Sequence, residues 1–127
     1  MKTGFKPKIL IVDDEREARE ALAHSLRAKG YEVLEEESGK GVLARAKNEW
    51  PALIILDVVL PDVPGTKVFE ELRADPVTKV IPVLLLTGKP DIVDRLPTFR
   101  GKSDRYFEKP GRIEDILKTV HDMVTGA

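Results

Sequence analysis

The chain has no cysteine, which excludes a disulfide framework, a thiolate metal site and thiol catalysis. It has no apolar run near the roughly 18 residues a membrane span needs. Net charge is small, -1 over 127 residues, so there is no electrostatic case for binding nucleic acid or an anionic membrane. The basic residues near the start are not followed by a long apolar segment, so no secretory signal is read there. Internal repeats, linkers and low-complexity tracts are also missing. Histidine is scarce: His24 and His121 fall on expected exposed helix faces without partners. Hydrophobic residues make up 42% and charged residues 34%, the balance of a packed core with a solvated surface. The expectation is one soluble cytoplasmic domain over residues 1–127.

The stretch Leu53-Ile54-Ile55-Leu56-Asp57-Val58-Val59-Leu60-Pro61 is the most informative. Four apolar residues run into a carboxylate. A run of this kind reads as a strand buried on both faces, the parallel-sheet pattern. Other segments fall into order around it. Residues 8–13 form a first strand ending in Asp13-Asp14. A helix to Lys29 follows, with Ala18, Leu22 and Leu26 as its buried stripe and Gly30 as its stop. Residues 31–34 make a weaker second strand. Val42, Leu43 and Ala46 mark a second helix, ended by Trp50-Pro51. Thr66 is read as the cap of a third helix with Val68, Phe69 and Leu72 inside. Residues 81–87 form a fourth strand, and residues 91–99 are helical in pattern but interrupted by Pro97. Residues 104–108 make a fifth strand, and Ile113, Ile116, Leu117, Val120 and Val124 give a final helix. Trp50 is read as a packing residue and Glu35-Glu36-Glu37 as solvated surface. The order is strand-helix five times, which implies a five-stranded parallel sheet covered on both faces.

In such a sheet the carboxyl ends of the strands share one edge, where ligands bind. The first strand there ends in Asp13 and Asp14, the third in Asp57 and the fourth in Thr87, and Lys109 follows the fifth. Three carboxylates so close repel one another, which a divalent cation relieves. Oxygen ligands without His or Cys favour Mg²⁺ over zinc. A carboxylate nucleophile, a metal and fixed donors are the parts phosphoryl transfer needs. Each residue alone has a plainer reading. Asp13 and Asp14 fit a helix cap, Asp57 a turn, Thr87 a hydroxyl bonding its own backbone, and Lys109 a surface lysine. Their joint occurrence at successive strand ends favours the site.

The Asp13-Asp14 pair after Ile-Leu-Ile-Val, the block Leu-Asp57-Val-Val-Leu-Pro-Asp, Leu-Leu-Thr87-Gly and Tyr106-Phe-Glu-Lys109-Pro110 together resemble the receiver domain of two-component response regulators. The resemblance spans essentially the whole chain and implies a flavodoxin-like doubly wound fold. It implies that Asp57 is phosphorylated by a histidine kinase or a histidine phosphotransfer protein. It assigns Mg²⁺ to Asp13, Asp14, Asp57 and the backbone carbonyl of Val59. It assigns phosphoryl contacts to Thr87, Lys109 and the N–H groups of Val58 and Gly88. Tyr106 becomes the switch aromatic, working with Thr87, and the Lys109–Pro110 bond is often cis in the family. Output then passes through a protein partner or an appended domain, and the start at Met1 leans towards a stand-alone regulator.

Several positions depart from the family pattern. Gly101-Lys102-Ser103 displaces the usual glycine, Pro97 interrupts the fourth helix, Thr87 is followed by Gly-Lys-Pro, and Pro64 stands where an acidic residue is frequent. These leave the phosphorylation residues intact and cluster on the segment that transmits the signal. The fourth helix is therefore expected to be shortened or partly replaced by loop. Val59 offers no hydrogen bond to an attacking water, so slow self-dephosphorylation is expected. Two other functions compete. A haloacid dehalogenase-type phosphatase needs a second Asp two residues after the nucleophile, where this chain has Val59. A degenerate receiver would act only as a binding module, against which Asp57, Thr87 and Lys109 stand intact. A flavin protein of similar topology would need a Gly- or Ser/Thr-rich phosphate cradle where this loop is acidic.

Overall fold

Apolar runs with β-branched members become strands, and the most continuous of them take the middle of one sheet. The computed structural model describes residues 6–101, 103–109 and 111–126. The order is β1 (Lys8–Val12), α1 (Arg16–Ala28), β2 (Glu32–Glu36), α2 (Val42–Glu49), β3 (Leu53–Asp57), α3 (Gly65–Ala74), β4 (Val83–Thr87), a 3-10 helix (Pro90–Arg95), β5 (Arg105–Glu108) and α4 (Ile113–Thr125). The sheet has five strands in the order β2-β1-β3-β4-β5, and every pairing is parallel. This is the expected doubly wound topology. The chain leaves β1 for β2 on one side and returns to add β3 on the other. The carboxyl ends of β1 and β3 therefore flank the point where the winding reverses, which is where such sheets bind ligands. Among the described residues, no helix is long and apolar enough to cross a membrane.

Strands β3 and β4 are buried along their whole length, whereas the edge strands β2 and β5 keep partly exposed charged residues. Successive side chains point to opposite faces, so the sheet sorts its apolar residues into two cores. On one face Leu10, Val12, Ile54, Leu56, Val83 and Leu85 meet α2 and α3 through Val42, Ala46, Val68, Phe69 and Leu72. On the other Ile9, Ile11, Ile55, Leu84 and Leu86 meet α1 and α4 through Leu22, Ala23, Leu26, Ile116 and Val120. Each Val, Leu, Ile or Phe among them contributes roughly 1.5–3 kcal/mol on full burial, so the three central strands form a rigid platform under the carboxyl edge.

Several local expectations are corrected. The buried stripe of α1 is Leu22, Ala23 and Leu26, and Ala18 is exposed. Trp50 is 71% exposed. It closes α2 in a left-handed conformation at φ 53°, so the chain direction needed to enter β3 carries its indole outwards. Thr66 does not cap α3. The helix starts at Gly65 after an extended Pro64, and position 65 takes only glycine, since a Cβ there would overlap the Asp57 carbonyl oxygen and lie 2.6 Å from Val58 Cα. Glu35 and Glu36 are ion-paired to Arg19, Arg27 and Arg45 and are only partly exposed. The shortening expected of the fourth helix is found: the segment after β4 forms only the 3-10 helix, since Pro97 holds Leu96 out of the α region, at φ -112° and ψ 92°. Leu96, Ile92, Val93 and Phe99 still reach the core from it. The Lys109–Pro110 bond lies outside the described residues.

At the amino edge of the sheet a buried ion pair joins α3 to the loop before β5. The Arg73 and Asp104 side chains are 1% and 0% exposed. Asp104 accepts from Arg73 Nε at 3.3 Å and from Arg73 Nη2, and from the N–H groups of Val83 and Arg100 at 3.0 Å each. Arg73 Nη1 donates to the Ile81 carbonyl at 2.9 Å, and the guanidinium lies 5.0 Å over the Phe69 ring. Asp104→Ala strands a buried guanidinium and is expected to cost about 3–5 kcal/mol in urea unfolding. The double replacement Arg73→Met with Asp104→Leu leaves no lone charge and is expected to cost less than that single change. A larger loss in the double variant would overturn this account.

Candidate functional site

Strand register decides which polar residues meet. Val12 pairs with Leu56, so the next residues, Asp13 and Asp57, end side by side. Asp57 pairs with Leu86, which places Thr87 one step beyond it on the neighbouring strand. Thr87 pairs with Glu108, and the Lys109 N–H that follows donates to the Thr87 carbonyl at 2.8 Å. One edge thus collects Asp13, Asp14, Asp57, Thr87 and Lys109.

The Asp57 side chain is nearly closed off, at 6% exposure. Its Oδ2 accepts from Lys109 Nζ at 2.8 Å, and its Oδ1 accepts from the Val59 N–H at 2.9 Å. Asp13 is buried, and its Oδ1 accepts from the Glu15 N–H at 2.9 Å. Neither Asp13 nor Asp14 caps α1, whose N-cap position is Glu15 and lacks a side-chain bond. Asp14 is exposed at the rim. One oxygen from each of Asp13, Asp14 and Asp57 lies within 4.8 Å of the others. All three are hard carboxylate donors, a set that fits a divalent cation without imidazole or thiolate ligands.

The charges on this edge are out of balance. Burial pushes the Asp13 carboxyl above its ordinary value, the Glu15 N–H opposes this, and the charges of Asp57 and Asp14 add to the rise. For Lys109, burial works against the ammonium. The hydrogen bond and charge of Asp57, with the charges of Asp13 and Glu15, outweigh it and move its pKa up. Lys109 is therefore a firm cation held against Asp57, and one ammonium faces three carboxylates.

The remaining expected residues are placed as follows. Thr87 is buried, and its hydroxyl serves its own loop, accepting from the Lys89 N–H at 3.0 Å and donating to the Lys89 carbonyl at 3.1 Å. The Val58 N–H is taken by the Leu86 carbonyl at 3.0 Å, so the amide that faces the Asp57 carboxylate is that of Val59, one residue further on. The Gly88 N–H has no acceptor among the described residues. The Val59 side chain stands in solvent beside the site at 74% exposure. Tyr106 is 45% exposed on the edge strand β5.

Two contributors were not foreseen. Asp62 accepts from the N–H groups of Gly39 and Lys40 at 2.9 and 2.8 Å, tying the loop after β3 to the loop after β2. The Gly39 N–H is also the main cause that lowers the Asp62 pKa. Arg19 donates through Nη1 to the Asp13 carbonyl at 2.8 Å and through Nε to Glu35 at 3.0 Å. Neither link is local in sequence periodicity. The only sequence signal was an acidic residue in the Leu-Pro-Asp62 motif and an arginine in the first turn of a helix.

Comparison with known proteins agrees with this geometry. Residues 9–121 match the family model of the response regulator receiver domain. The chain is 35% identical over 114 residues to the probable transcriptional regulatory protein TcrX of Mycobacterium tuberculosis, covering 90% of this chain and 48% of TcrX. It thus spans about half the length of that curated relative. Among solved structures, the chemotaxis response regulator CheY4 of Vibrio cholerae superposes with a TM-score of 0.83 at 29% identity, over 94% of this chain and 99% of that one. The receiver domain of the sensor histidine kinase PA1611 from Pseudomonas aeruginosa has the same fold. Its TM-score is 0.82 at 22% identity, over 95% of this chain and 99% of that one, and its structure has a magnesium ion coordinated in the active site cleft.

The raised pKa of Asp13 sets a testable sign. A carboxyl raised on folding contributes stability below its unfolded value of 3.8 and loses it as pH rises through the folded value. At neutral pH the ionised group is a cost. Asp13→Asn keeps the acceptor for the Glu15 N–H and removes the charge. It is expected to raise the thermal midpoint by a few degrees at neutral pH in chelator, with the gain shrinking towards about pH 4. Circular-dichroism melts check this, and a lowered midpoint at neutral pH would contradict it.

Proposed function

This chain belongs to the response regulator receiver domains, the phosphorelay signalling switches, and on that premise we propose that Asp57 is its phosphoryl acceptor. The donor is the phosphohistidine of a histidine kinase or histidine phosphotransfer protein. An Asp57 carboxylate oxygen attacks phosphorus, the phosphorus–nitrogen bond breaks, and the imidazole leaves with the electron pair. Lys109 moves from the carboxylate to a phosphoryl oxygen. Thr87, freed from Lys89, donates to another, and the N–H groups of Val59, already on Asp57, and of Gly88, without an acceptor among the described residues, are the backbone donors for the rest. Asp13, Asp14 and Asp57, with the Val59 carbonyl, would hold Mg²⁺, which would screen the carboxylates from the incoming phosphoryl group. The observation that carries this reading is the meeting of three carboxylates and Lys109 at the carboxyl edge of β1, β3 and β5.

The output is a change of protein partner. Phosphorylation adds charge at one point, and a domain with two states close in energy converts it into a different surface. Thr87 and Tyr106 link the site to the face built from the 3-10 helix and β5. Beyond transferring and releasing its own phosphoryl group, the domain turns over no substrate. A cytoplasmic location goes with this role, and the downstream partner is a protein or an output domain.

Incubation with Mg²⁺ and acetyl phosphate is expected to add one phosphoryl group by intact-protein mass. Chelator or the change Asp57→Asn should abolish the gain, and a gain that survives Asp57→Asn would overturn the assignment. Val59→Asn places a hydrogen-bonding side chain at the mouth of the site, where it can orient an attacking water. It is expected to shorten the phosphoryl lifetime severalfold, and an unchanged lifetime would show that Val59 does not limit hydrolysis.

A further inference from the structure

We infer that Arg19 is the positioning residue of the cation site, and that Glu35 neutralises it so that it does not compete with the cation. The inference rests on the reading of Asp13, Asp14 and Asp57 as the Mg²⁺ site, and adds two residues that touch neither metal nor phosphoryl group. The turn after β1 must aim two consecutive carboxylates in one direction. Asp13 is held at three points: its N–H donates to the Glu36 carbonyl at 3.0 Å, its Oδ1 accepts from the Glu15 N–H, and its carbonyl accepts from Arg19 Nη1. Asp14 makes no side-chain hydrogen bond among the described residues. Its direction is therefore set by the Asp13–Asp14 peptide, and Arg19 holds the oxygen of that peptide.

An arginine here has an electrostatic drawback. A guanidinium beside an acidic turn repels a divalent cation and can itself bind the carboxylates. Glu35 on β2 answers both problems. It accepts from Arg19 Nε, and its other oxygen lies 3.4 Å from Arg27 Nη2. Arg27 in turn donates to the Val33 carbonyl at 3.0 Å, which fixes the arrangement to β2. The Arg19 side chain is 11% exposed, so its pairing with Glu35 is poorly screened by solvent. This is the outer layer that orients metal ligands elsewhere, built from a backbone carbonyl contact and the Arg19–Glu35 ion pair, with the more exposed Arg27 on the far oxygen of Glu35.

The test is calorimetric titration of Mg²⁺ into the unsubstituted protein, Asp13→Asn, Arg19→Ala, Arg19→Lys and Glu35→Gln. Phosphorylation by acetyl phosphate is followed in parallel as a function of Mg²⁺. Arg19→Ala is expected to weaken Mg²⁺ binding about tenfold, with the phosphorylation rate at saturating Mg²⁺ close to that of the unsubstituted protein. Arg19→Lys reaches one partner and not both, so it restores part of the loss. Glu35→Gln shifts affinity in the same direction by a smaller factor. Unchanged affinity in Arg19→Ala, or a lower saturating rate at unchanged affinity, would overturn the inference. Should Arg19→Ala fail to fold by circular dichroism, Glu35→Gln decides, and unchanged affinity there overturns it. A protein whose Mg²⁺ binding is absent, or indifferent to Asp13→Asn, would remove the site reading itself, and the inference with it.

Discussion

Parallel pairing of β1 with β3 sets Asp13 beside Asp57, and the repulsion between those carboxylates shapes everything at this edge. The strands cannot relieve it, because their register is locked by two cores of Leu, Ile and Val. Relief must come from donors. Lys109, the Val59 N–H and the Glu15 N–H each take one oxygen. They leave a net negative pocket, which is the condition for holding a cation and then a phosphoryl group.

The two edges of the sheet treat a buried aspartate in opposite ways. At the amino edge Asp104 receives four hydrogen bonds, two of them from one guanidinium. Its acceptor capacity is used up, and it acts as a fastener. At the carboxyl edge Asp57 receives two and keeps lone pairs free, as the proposed phosphoryl acceptor needs. How many donors surround a buried carboxylate decides how much acceptor capacity it retains. The fastener also ties the start of β4 to the loop before β5, so the strand that ends at Thr87 is pinned at its other end.

Much of this was legible in the sequence because topology needs few residues to declare itself. The uninterrupted run ending at Asp57 marks a central strand, and parallel order then forces the ends of the other strands to the same edge. Pro97 made the loss of a regular fourth helix readable, since a proline restricts the residue before it locally. The unread features are those that depend on distant partners. Position 65, the first of α3, takes only glycine because the Asp57 and Val58 backbone passes too close for any side chain. Arg19 looks like an ordinary helix residue until β2 brings Glu35 to it. Arg73 and Asp104 are 31 positions apart, and no local pattern links them. Trp50 misled for the converse reason: its size predicts burial, while its place at a left-handed helix end turns it outwards.

That outward indole has a practical side. Trp50 is the only tryptophan in the chain, and it precedes β3, whose other end is Asp57. At ~3.3 Å per strand residue the length of β3 separates the two by about 16 Å. The natural fluorophore is a solvated bystander, facing water at the pole opposite the chemistry. With most of the indole already in water, unfolding changes its surroundings little, so it is a weak reporter of denaturation and lies far from any group bound at Asp57. Optical work on this domain needs a reporter placed at the carboxyl edge.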